Sequence, residues 1–208
     1  NLTSSRTLDG TDFASAPCAG NGLNITEPDV VLDCAGYSIS GSGAATGVDV
    51  ISNSTSVKNC TIYEFTYGIY SNGVNGTNII WNTILNSSNN CIVSINSNDA
   101  IISHNKVYDC VGGAGVSVKG SGNLSYNTMN NTPFGVELDS FSGNVNDNNI
   151  SYSTWTKGGI TMYSNSDLSI YNNNIYSGSA WGIYSDGTVS GTFNVWHNNI
   201  YGNPSGGI

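Results

Sequence analysis

The chain has 208 residues, 9% of them charged, with 14 acidic against 5 basic side chains and a formal net charge of -9. So few cations leave nothing to neutralise a phosphate backbone, which argues against nucleic acid as a partner, and no run of about 18 apolar residues provides a membrane span. The 38% hydrophobic content is enough for one sizeable core, and the polar surface must be built from neutral residues, chiefly 31 Asn and 47 Ser and Thr.

Residues 1–29 hold Cys18 and the extended-looking stretch LNITEPDVV, and lack the basic and apolar regions of a leader. They are read as an N-terminal extension or cap on a unit spanning 30–208. Nine Asn-x-Ser/Thr sequons occur, but this composition alone yields about 7, so the motif carries little weight.

From residue 47 onward a small residue followed by an aliphatic one recurs: Gly47-Val48, Gly68-Ile69, Cys91-Ile92, Gly115-Val116, Gly135-Val136, Gly159-Ile160, Gly182-Ile183 and Gly207-Ile208. A second column falls between these steps at Ile39, Ile62, Ile84, Val107, Met129, Ile150, Ile175 and Ile200. A third runs through Val57, Ile79, Ile102, Leu124, Val145, Ile170 and Val195. Self-similarity at 20 to 25 residues marks a solenoid. Each interval contains three short alternating stretches rich in β-branched residues, separated by Gly, Asn or Ser, which is strand and turn chemistry. The expected fold is all-β: a right-handed parallel β-helix of about eight three-strand coils, its hand following from the preference of parallel crossovers. Asparagine precedes the second column by two residues at Asn82, Asn105, Asn127, Asn148, Asn173 and Asn198. An amide both donates and accepts, so these residues are expected to form a structural ladder up one corner.

The stretch VVLDCAGYSISG followed by VKNCTIYEFTYGI resembles the first coils of the extracellular parallel β-helix repeat family that includes NosD-like and carbohydrate-binding or sugar-hydrolase β-helices, abundant on archaeal cell surfaces. The resemblance extends over about residues 28 to 208. It implies the fold strongly and the function weakly, because this fold hosts lyases, hydrolases, epimerases, adhesins and inert surface proteins.

Five cysteines show no CxxC spacing, and His104 and His197 fall in different coils, so no metal site is expected. Cys34 and Cys60 take nearby places in adjacent coils, as do Cys91 and Cys110 in the next pair. Two stacking disulfides, Cys34–Cys60 and Cys91–Cys110, are expected in an extracellular protein at the cell surface or envelope. Cys18 is then an unpaired thiol available to another molecule; a Cys18–Cys34 bond leaving Cys60 buried and inert is the alternative.

Alternation along the glycine-step strands points Lys119, Glu137, Asp139, Tyr163, Tyr184 and Asp186 outward on one face. The plain reading of this cluster is a solvated surface ion pair; the chemical one is a glycan face. Tyr63, Tyr108, Tyr176 and Tyr201, with Trp81, Tyr126 and Trp196 on the preceding edge, could also stack on sugar rings. The chain lacks the paired-Asp and Gly-His-Gly pattern of pectin hydrolases of this fold and the Asp-Pro-His-Glu pattern of its epimerases. Neither enzymatic activity nor a cofactor is therefore expected.

The last coil is as regular as its neighbours and shows no capping helix, proline block or charge run. Together with low charge and the spare cysteine, this resembles in character the amyloid-like sheath proteins of methanogens. The leading functional expectation is a non-enzymatic homopolymer that assembles through open solenoid ends into a sheath, filament or layer. The alternative is a surface module that binds or cleaves carbohydrate.

Overall fold

The computed structural model describes residues 1–9, 12, 17–151, 158–187 and 189–208. Among them every regular element is a strand, and the paired strands run parallel, each coil stacked on the one before. The three walls of this solenoid are here called sheets 1, 2 and 3. Sheet 1 contains Thr46–Val50, Tyr67–Asn72, Gly158–Tyr163 and Trp181–Ser185. Sheet 2 contains Val31–Asp33, Ser56–Lys58, Asn78–Ile80 and Ser166–Tyr171. The strands Ile92–Ser103, Ala114–Ser125 and Phe134–Asn146 run without interruption from sheet 1 into sheet 2. Sheet 3 is eight strands from Ser38–Ser40 to Asn199–Tyr201.

The three aliphatic columns face inward, one from each sheet. Val48, Ile69, Ile92, Val116 and Val136 stack in sheet 1 and are fully buried. Ile62, Ile84 and Val107 do the same in sheet 3, and Val57, Ile79 and Ile102 in sheet 2. The glycine before each step has a steric cause. A Cβ on Gly68 would lie 2.3 Å from the γ-methyl of Ile84, and one on Gly135 would lie 2.2 Å from that of Ile150. The sheet 3 isoleucine fills the space that a side chain would need. Cys91 holds the same step and turns its sulfur to Cys110.

The corner between sheets 2 and 3 is a sharp bend at one left-handed residue per coil, including Trp81, His104, Tyr126 and Asp147 with φ from 55° to 61°. The asparagine that follows points into the corner. Asn105 Oδ1 accepts from the backbone N–H and the Nδ2 of Asn82 at 3.0 and 3.1 Å, and Asn105 Nδ2 donates to Ile79 O at 2.8 Å. The same set repeats through Asn127, Asn148 and Asn173 to Asn198. Each amide thus satisfies backbone groups that the bend removes from the strand ladders.

Cys34 is bonded to Cys60 and Cys91 to Cys110, spanning 26 and 19 residues, while Cys18 is a half-buried free thiol. Burial pushes the Cys18 thiol pKa up, which lowers its thiolate fraction. Described parts of the segment before residue 30 pair in parallel with later strands. Arg6–Thr7 pairs with Val31–Asp33, Cys18 bridges to Gly41, and Leu23–Ile25 pairs with Thr46–Val50.

Replacing Asn127 by Leu strips acceptors from Asn105 and a donor from Ile102 O inside the corner. A stability loss of about 3 kcal/mol is expected from leaving such groups unpaired, read as a lower denaturation midpoint, whereas the exposed Asn199→Ala should shift stability by less than about 0.5 kcal/mol. Removing the Cys91–Cys110 bond by double substitution with alanine should cost roughly 3 kcal/mol, as expected for a loop of its length.

Candidate functional site

Stacking brings the outward residues of sheet 1 into two columns. One runs Asn24, Asp49, Tyr70, Val93, Ser117, Glu137, Thr161, Tyr184, of which Val93 and Thr161 are buried. The other, two residues further along each strand, includes Ile51, Asn72, Ile95, Lys119, Asp139 and Tyr163. Every polar group in these columns has like-placed neighbours one coil spacing away, about 4.8 Å.

The residues singled out from the sequence lie together toward the C-terminal half of this face. Lys119 Nζ meets Asp139 Oδ2 at 3.0 Å, Ser140 Oγ donates to Asp139 Oδ1 at 3.0 Å, and Ser117 Oγ donates to Glu137 Oε2 at 3.0 Å. Tyr163 follows Asp139 in register, and Tyr184 lies two coils beyond Glu137 with the Trp181 ring 6.4 Å away. Asp186 continues past Tyr184 and is tied through its backbone N–H to Met162 O. With its side chains more than 40% exposed, the Lys119–Asp139 pair adds little to stability, under about 1 kcal/mol. Its role is to fix two polar groups on an open surface.

A second polar cluster at the other end of the face is harder to find in the sequence. Asn21 Nδ2 donates to Asp49 Oδ2 at 3.3 Å and to Asn24 Oδ1 at 2.7 Å. Tyr70 stands one coil above Asp49, with the Tyr67 ring 5.3 Å from its own, and Asn72 Nδ2 donates to the Tyr70 hydroxyl at 3.4 Å. Asp49 and Tyr70 can be read as outward, but the amide partner of Asp49, Asn21, comes from the segment before residue 30, where the repeat is not visible. Burial pushes the Asp49 carboxyl above its ordinary value of 3.8, and the Asn21 bond offsets part of that rise.

Beyond Lys119 the strands bend into sheet 2 and leave a groove of about 420 Å³ between Asp99, Ile101, Ser121, Asn123 and Ser142. Its floor exists because Gly122 and Gly143 stack there, with φ of +155° and +141°, and a Cβ on either would sit about 2 Å from the carbonyl below. The sequence signal was the Ser-Gly-Asn triplet repeated at 121–123 and 142–144.

Several aromatics outside sheet 1 are engaged with one another. Trp81, His104 and Tyr126 stack at successive corners, with centroids 4.0 and 4.9 Å apart. Tyr171 stacks on Trp196 at 4.6 Å and Tyr176 on Tyr201 at 5.3 Å. Tyr63 and Tyr108 stand on sheet 3 with Leu85 between them. Stacked along the solenoid axis, the paired rings turn their faces to each other and their edges to solvent, which is not the disposition of a sugar-stacking platform. Among the described residues no three His, Cys, Asp or Glu side chains gather as metal ligands.

The family model for the right handed beta helix region matches residues 67–208, and the chain belongs to that family. A substituted form of the periplasmic alginate epimerase AlgG superposes with a TM-score of 0.65 at 16% identity, covering 85% of this chain and 50% of that one. A second AlgG structure gives 0.60 at 14% identity, again covering 85% and 50%. XylC in complex with xylose gives 0.53 at 15% identity, covering 82% of this chain and 32% of XylC. At such identities the likeness is one of fold, and this chain spans about half the length of the epimerase. No curated protein matches at the sequence level.

These neighbours overturn the expectation of a self-assembling sheath. The neighbours just named are carbohydrate-handling proteins, an alginate epimerase and a xylose complex. The composition that suggested assembly has an internal cause: asparagine corners, glycine steps and uncharged columns are what stacking coils within one chain requires. The two disulfides indicate an oxidising compartment, extracellular or periplasmic.

The folded state favours the protonated form of Asp49, so its ionisation costs stability above the folded pKa, and that cost is absent below 3.8. Asp49→Asn should therefore be more stable than the parent protein at pH 7 and equal to it at pH 3, compared by denaturant midpoint.

Proposed function

We propose that this protein is an exported carbohydrate-binding β-helix, acting at the cell surface, that takes a polysaccharide on sheet 1. The observation that carries this reading is the convergence of Ser117, Lys119, Glu137, Asp139, Tyr163 and Tyr184 on adjacent coils of one open wall. Hydroxyl-rich ligands need paired acceptors and donors at fixed spacing, with aromatic surface beside them to cover the C–H faces of the ring. Sheet 1 offers both. Sheet 3 offers Thr, Asn and Lys106 beside Tyr108, with Tyr176 and Tyr201 stacked on each other further along, and among its described residues carries no exposed carboxylate pair like that of sheet 1. Carbohydrate-handling neighbours on the same fold support the choice of ligand class. No cofactor is needed for such binding, and Cys18 remains a thiol through which a partner could be joined.

Polysaccharide cleavage is a second reading, favoured by the spacing of Glu137 and Asp139. Two residues apart on one strand face, they stand about 7 Å from each other by strand rise, in the range where two carboxyl groups can flank a glycosidic bond and a water.

Titration of a panel of soluble polysaccharides, by calorimetry or affinity electrophoresis, tests the proposal. Saturable binding is expected, weakened at least tenfold by Glu137→Gln/Asp139→Asn and unchanged by Lys106→Ala on sheet 3. An unaffected double variant would reduce the cluster to surface decoration. Release of new reducing ends or unsaturated products, lost in Glu137→Gln, would select the cleavage reading over binding alone.

A further inference from the structure

Resting on the glycan-binding role of sheet 1, we infer that its ligand is a linear, uncharged polysaccharide lying along the solenoid axis, held at both polar clusters, and not a polyuronate. The first support is the charge of the wall. Its outward side carries Asp49, Glu137, Asp139 and Asp186 against one cation among the described residues, Lys119, whose charge already meets Asp139. A polyuronate brings a carboxylate with every sugar and would set each one beside these anions with nothing to pair it. Like charges juxtaposed at an interface act as a device against the wrong partner. Nor does the rest of the chain supply a compensating field, since its formal net charge is -9.

The second support is the distribution of polarity along the columns. Asp49, Asn24 and Tyr70 form one polar end, and Ser117, Glu137 and Lys119 another. Between them the first column passes through Val93, which is buried, so the apolar surface there is the half-buried Ile95, with the well-exposed Ile51 beside the first cluster. Apolar side chains there suit the C–H face of a pyranose and offer nothing to an ionised group. An alternation of hydroxyl-binding ends with an apolar middle matches a chain that has both faces and no charge.

The third support is length. Asp49, Tyr70, Val93, Ser117 and Glu137 are consecutive in register, so the two carboxylates are four coil steps apart, about 19 Å at 4.8 Å per step. The coil spacing is close to the advance per residue of an extended pyranose chain. A chain along the axis therefore meets an equivalent position at each coil, and about five sugars are needed to reach from one cluster to the other.

The experiment is a calorimetric titration at low ionic strength with neutral xylo- and cello-oligosaccharides of two to six residues, alongside mannuronate and galacturonate hexasaccharides. The neutral hexasaccharide of at least one series should bind at least tenfold more tightly than its disaccharide. Tyr70→Ala and Tyr184→Ala should each weaken it, and the uronate hexamers should show no binding. Substituting Glu137 and Asp186 by Lys should create uronate binding that the parent protein lacks. Uronate binding by the parent protein, lost in the tyrosine variants, would overturn the uncharged ligand while leaving sheet 1 as a glycan site. Equal affinity for disaccharide and hexasaccharide would overturn the two-cluster span. Absence of binding to every oligosaccharide would overturn this inference together with the glycan-binding reading on which it rests.

Discussion

Hydrogen bonding from each coil to the next is the constraint on which everything else in this protein depends. In a parallel solenoid the strands of one coil are completed only by those of its neighbours, and wherever the chain bends, backbone groups drop out of the ladders. The asparagines from Asn82 to Asn198 restore those groups at the sharpest corner, each amide serving its own coil and the next. Because that bonding fixes register, the inner wall repeats aliphatic residues and the outer wall repeats whatever stands at the same step. The surface is thus a set of columns before it is anything else.

Columns constrain charge. Two like charges directly above one another lie about one coil spacing apart and repel, so a stacked wall is most easily built from Asn, Ser, Thr and Tyr. The ion pairs that do occur across coils join opposite signs, Lys58 with Asp33 and Lys119 with Asp139. Asp33 is also held by Asn59 and the Ala35 backbone N–H, which lower its pKa below the ordinary value together with the weaker influence of Lys58. The low charge content of the chain, 9%, follows from this architecture.

The polar clusters of sheet 1 depend on this geometry in different ways. Glu137 and Asp139 share one strand, so their common face is set by alternation alone. Ser117 and Lys119 join them through register across a bulge near Gly120. The Asp49 cluster needs more, since Asn21 and Asn24 reach it from a coil whose sequence does not display the repeat. The aromatic residues show the reverse. Trp81, Tyr126 and Trp196 look like free surface in the sequence, yet the stack turns one face of each onto His104 or Tyr171.

The fold was legible because one short period carried it. Ile39 through Ile200, the glycine steps and the asparagine column each recur at the coil length, and a solenoid has few other ways to bury them. The grouping of Glu137 with Asp139 was legible for the same local reason. What the tertiary structure decided lies where residues far apart in sequence meet without a repeating signal: the Asn21–Asp49 contact, the groove over Gly122 and Gly143, and the partner of each aromatic ring. Function belongs to that second group. Composition reports how coils stack, and stacking is the same whether a wall meets sugar, protein or water; only the side chains that register brings side by side distinguish them.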